Sequence, residues 1–86
     1  MEPFIETDRG RVVHLKPTEQ AGSRTKNRLR EHGRFFFLLD WGFPQSFDGD
    51  AAICVEPTNQ GDSWLGWLPL NEVELTWTSW TAKFND

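Results

Sequence analysis

Arg34 to Trp41 reads RFFFLLDW, with five apolar side chains in succession. In a β-strand neighbouring side chains point to opposite faces, so a run that is apolar at every position needs cover on both sides. Such a strand belongs in the middle of a sheet rather than at an edge open to water. Turn chemistry bounds it on both ends, His32-Gly33 before it and WGFP after it. A chain of 86 residues has room for a single core around such a strand, so residues 1–86 are expected to form one domain.

Toward the N-terminus, RVVHLK (Arg11 to Lys16) is a β-branched run that follows the turn-like TDRG and ends at Pro17. Phe4 and Ile5 fit a short strand ahead of it. The connection PTEQAGSRTKNRLREHG holds a short helix in its second half. Ser23 or Thr25 is placed to cap its start and Gly33 to end it at C′. Leu29 is its one strong apolar anchor, and at about two turns it is stable only when docked.

Toward the C-terminus, GFPQSFDGD is a loop with apolar residues at its tip. AAICVEP (Ala51 to Pro57) is a third strand, TNQGD a hairpin turn, SWLGWLPL a fourth strand, and VELTW (Val73 to Trp77) an alternating fifth. The tail 79–86 is the segment most open to fraying. Strands of this length joined by short turns give a mostly β, antiparallel architecture. Alternation along the fourth strand sets Trp64 and Leu68 on one face and Leu65 and Trp67 on the other.

GWLPLNEVEL (Gly66 to Leu75) resembles the end of a Src-homology-3 domain. There a Gly, two apolar residues and a Pro close the fourth strand, one helical turn follows, and a Val opens the last strand. Gly66, Pro69, Asn71 and Val73 fall on those positions. The resemblance implies a five-stranded antiparallel Src-homology-3-like barrel, here with one short helix between the first two main strands. The proline-peptide groove of that family is built largely from Tyr rings, whereas this chain has no Tyr and carries Glu72 after Asn71. Ordinary PxxP recognition is therefore not expected. KNRLREHG together with GWLPLNEVE also resembles short uncharacterised proteins of phages or mobile elements, which implies no activity.

The residues argue against several classes of function. Cys54 is the one cysteine, so no intramolecular disulfide forms and a reducing, cytoplasmic setting is expected. MEPFIETDRG carries acids where a secretory signal has bases, and no stretch approaches the roughly 20 apolar residues of a membrane span. Cys54 lies in an apolar strand where a buried, inert thiol is expected. His14 and His32 are isolated, too few with one Cys for a zinc site. Asp48-Gly49-Asp50 reads as a turn rather than a calcium loop. No enzymatic activity, metal or cofactor is expected, and the chain reads as a non-enzymatic interaction module.

Two surfaces compete for that role. Residues 1–34 hold eight of the nine Lys and Arg, while the remainder holds one against eight acids. The basic segment 24–34 (Arg24, Lys26, Arg28, Arg30 and Arg34) is either a solvated helix face or a contact for nucleic acid. The other surface lies where the loop Trp41 to Asp50 meets the end of the fourth strand. Trp41, Phe43, Phe47 and Trp67 would anchor a protein or peptide there, unless they pack as a small core of their own. Asp48, Asp50 and Glu72 would then favour a basic ligand.

Overall fold

The computed structural model describes residues 9–81; the expected strand at Phe4 and Ile5 and the tail beyond Thr81 lie outside them. In chain order the elements are strand β1 (Arg11–Pro17), helix α1 (Ser23–His32), strand β2 (Phe35–Gly42), a 3-10 turn (Gln45–Phe47), strands β3 (Ala52–Pro57) and β4 (Gly66–Pro69), a second 3-10 turn (Leu70–Glu72) and strand β5 (Val73–Thr81). All pairings are antiparallel and the sheet order is β4-β3-β2-β1-β5. β2 is thus the middle strand, as its apolar run requires. β4 and β5 each pair on one side among the described residues, so the ladder is one open sheet and not a closed barrel.

The strand ends depart from expectation for local reasons. The fourth strand shortens from eight expected residues to four, because the side chain of Asp62 accepts the backbone N–H of Trp64 at 3.1 Å and turns the chain there. Segment 58–65 is consequently a wide loop. The fifth strand instead extends past Trp77 to Thr81, pairing with Arg11.

One face of the sheet carries the core: Val13 and Leu15 of β1, Phe36 and Leu38 of β2, Ile53 and Val55 of β3, with Leu68 and Val73. Trp64 and Trp77 pack against it. Leu68 is buried and Trp64 half-buried on that cluster, while Leu65 is 56% exposed, which agrees with the alternation in SWLGWLPL. The double-faced burial expected of β2 is only partly realised, since Phe35 is 48% exposed. The strand buried throughout its middle is β3, where Ala52, Ile53, Cys54 and Val55 are all covered. Register shifts between Arg11 and Val13 and between Leu38 and Asp40 mark bulges, which bend and twist the sheet.

Helix α1 forms between β1 and β2 as expected, but neither proposed cap acts as one. The N-cap residue is Gly22, with no side-chain cap. Ser23 is exposed at the first helical position, and Thr25 is buried inside the first turn. Thr25 and Leu29, four residues apart, form the inward face. Gly33 ends the helix at φ 90°, a conformation that penalises any side chain, and donates its N–H to Leu29.

Candidate functional site

Glu72, at the end of the second 3-10 turn, anchors the start of α1. Its Oε1 accepts the backbone N–H of Gly22 at 2.9 Å and the hydroxyl of Thr25 at 2.8 Å. In a capping box a Glu or Gln of the first helical turn reaches back to the N-cap N–H. Here Thr25 holds that place and Glu72 supplies the carboxylate from 47 residues further along the chain.

At the other end of the helix, His32 Nδ1–H donates to Asp62 Oδ2 at 2.7 Å, and its ring stacks on Trp64 with centroids 4.7 Å apart. The imidazole bond, and then the Trp64 N–H, hold the Asp62 carboxyl below its ordinary range. His32 Nε2 is buried without a hydrogen-bond partner among the described residues; Glu31 Oε2, 3.8 Å away, is beyond reach. Asn59 Nδ2 donates to the carbonyl of His32 at 3.0 Å. These contacts hold α1 alongside the 59–72 segment.

Between α1 and β4 lies a groove of about 600 Å³, within the usual size of a ligand cleft. Arg24, Thr25 and Arg28 line one wall, Trp64 to Pro69 the other, and Ser46 and Phe47 close one side. Trp67 is half-buried, and a Cβ placed on Gly42 would stand 3.9 Å from its Cη2. The Arg28 guanidinium lies over the Trp64 ring, 5.4 Å from its centroid, and its Nη1 is 3.7 Å from Glu31 Oε2. Gly66 makes room for that ring, since a Cβ there would fall 2.6 Å from Trp64 Cζ2.

The groove gathers part of each expected surface. Of the loop set, Phe47, Trp67 and Glu72 line it, with the Glu72 carboxylate turned onto the helix. Trp41 packs against the core, and Phe43 is 71% exposed away from the groove. Asp48 and Asp50 stand exposed outside it on a turn, Asp48 at φ 55° and Gly49 at φ 82°. Of the basic set, Arg24 and Arg28 line the groove; Lys26, Arg30 and Arg34 are exposed elsewhere, Arg30 donating to Asn27 at 3.0 Å. Trp64, which alternation sets on the same face as Leu68, also lines the groove. The i, i+4 spacing of Arg24 and Arg28 was the signal in the sequence that they share one helix face.

The remaining reactive side chains lie apart from it. Cys54 is buried in β3, and burial, then the charges of Asp40 and Glu56, raise its thiol pKa. His14 packs on Phe35 at the sheet surface, centroids 4.9 Å apart. Among the described residues no three His, Cys, Asp or Glu side chains gather as a metal site, and no helix is long and apolar enough to cross a membrane. Compared with protein-family models, curated proteins and solved structures, the chain finds no match.

Proposed function

We propose that this domain is a non-enzymatic interaction module that takes an extended peptide of a protein partner into the groove between α1 and β4. The observation that carries the reading is the placing of Phe47, Trp64 and Trp67 with Arg24 and Arg28 around one cleft. Aromatic and arginine side chains supply most of the energy of peptide and protein contacts. Binding is favoured over catalysis because the thiol is buried and the His32–Asp62 pair is spent on holding the helix. The resemblance to the Src-homology-3 barrel belongs to this reading. Pro69 ends β4, the 3-10 turn Leu70–Glu72 follows, and Val73 opens β5, the local order that the resemblance implies.

The test is selection of a displayed random-peptide library on the whole chain and on its Trp67→Ser and Phe47→Ser variants. Enrichment by the parent that both variants lose, while they unfold at nearly the parent's urea midpoint, supports the groove. Absence of enrichment, or loss of several kcal/mol of stability as expected for emptying a packed aromatic site, refutes it. Nucleic-acid binding by the basic helix is the rival. It requires affinity for an oligonucleotide that falls steeply with salt, because every phosphate contact releases counterions.

A further inference from the structure

The charge along the groove identifies the ligand more closely, provided that the groove is a peptide site as proposed above. Arg24 and Arg28 stand one turn apart on the wall formed by α1, and side chains at that spacing leave the helix about 6 Å apart. Thr25 and Leu29, each one residue after an arginine, turn inward on the adjoining face and hold that wall in place. Arg28 is positioned by its contact with Trp64 and by an exposed ion pair with Glu31 at 3.7 Å, weak enough for a ligand carboxylate to replace, and Arg24 has no acidic partner among the described residues. Opposite them the lining is apolar and aromatic, with Phe47, Leu65 and Trp67. The acids from which a basic ligand was expected do not offset this: Asp48 and Asp50 lie outside the groove, and Glu72 is bonded to Gly22 and Thr25.

In an extended peptide, side chains two residues apart share one side and rise about 6.7 Å, close to the arginine spacing. The residue between them faces the other way. We infer that the ligand is an extended segment bearing two carboxylates two residues apart with an apolar residue between them. Each carboxylate meets one guanidinium, a planar donor matched to it, and the middle side chain rests on the aromatic wall. The phosphate backbone of a nucleic acid is the competing anion, but two cations are few for a polyanion whose binding rests on neutralising many phosphates.

The experiment measures fluorescence anisotropy of labelled synthetic octapeptides at low salt. The set has Asp-Val-Asp at its centre, or Asp-Asp, Asp-Val-Val-Asp, Ser-Val-Ser or Lys-Val-Lys in its place, with identical neutral flanks; a labelled dT12 strand is measured alongside. Asp-Val-Asp is expected to bind tightest. The other spacings, and the Arg24→Ala and Arg28→Ala chains, should be weaker by about five- to tenfold, as for a lost charge-assisted contact. Arg28→Lys separates charge from the packing on Trp64, and urea midpoints confirm that each variant is folded. Equal binding across spacings, or preference for Lys-Val-Lys or Ser-Val-Ser that still depends on Trp67, overturns the inference and leaves the groove standing. No binding by any peptide overturns both. Tighter, salt-steep binding of dT12 overturns both in favour of nucleic acid.

Discussion

Glu72→Ala is the most informative single change, because one carboxylate oxygen joins α1 to the turn before β5. The variant loses an acceptor for two donors in different surroundings. Thr25 is 3% exposed, so its hydroxyl would be left without a partner in a site closed to water, at about 1–2 kcal/mol. The Gly22 N–H is exposed and regains a water, so exchanging a carboxylate for solvent costs about 0.5–1 kcal/mol there. The negative charge at the helix start contributes about 0.5 kcal/mol more. Together these give a loss of about 2–3.5 kcal/mol, a large part of the 5 kcal/mol or so of a small domain. Glu72→Gln keeps an acceptor and should lose about 1 kcal/mol or less. Thr25→Val, which removes the donor but preserves shape, should lose less than Glu72→Ala. Urea unfolding followed by tryptophan fluorescence measures all three, and the double variant Thr25→Val/Glu72→Ala completes the cycle. A loss below about 0.5 kcal/mol for Glu72→Ala, or strict additivity in the cycle, would refute the cross-chain cap.

Three further outcomes follow from the same geometry. The Asp62 carboxyl, held low chiefly by His32, contributes stability that is complete above its ordinary value near pH 4 and is lost as pH falls through the lowered one. Asp62→Asn should therefore flatten the acid limb of urea midpoints measured from neutral pH downward, and an unchanged limb would show that the pair contributes nothing. Gly66→Ala should destabilise by about 1–3 kcal/mol and shift tryptophan emission, since the new methyl group collides with the Trp64 ring; an unchanged spectrum and midpoint would place that ring elsewhere. The Cys54 thiol should react with a thiol reagent far more slowly in the native chain than in urea, because it is buried and its thiolate is disfavoured; equal rates would contradict its position in β3.

The strand order was legible where hydrophobic pattern and turn residues agree. RFFFLLDW marked the centre of the sheet, and the period of SWLGWLPL sorted Trp64 and Leu68 from Leu65. Strand ends were harder to read, since the short β4 is set by the Asp62 side chain, a tertiary turn contact that no propensity expresses. The helix cap was misplaced for a similar reason: Ser23 and Thr25 have the right chemistry for a local cap, but a carboxylate distant in sequence takes the donors. The candidate surface divided because its two halves, the aromatics of the loop and fourth strand and the arginines of α1, are far apart along the chain. Only their packing side by side shows that Phe47 and Trp67 share a cleft with Arg24 and Arg28, and that Trp41 serves the core.

The dependence of α1 on distant partners also bears on the order in which the molecule assembles. The helix has no acid in its first turn and no side-chain cap of its own. Its ends are tied by bonds spanning 50, 47 and 30 residues. A ten-residue helix gains little from its own hydrogen bonds in water, and contacts between remote residues are rewarded only after the intervening loop is closed. α1 should therefore complete last, on a sheet already formed, and open first. Native-state amide exchange should show Leu29 and the rest of α1 exchanging through a local opening well below the global unfolding free energy, while Leu38 and Val55 exchange only with the whole domain.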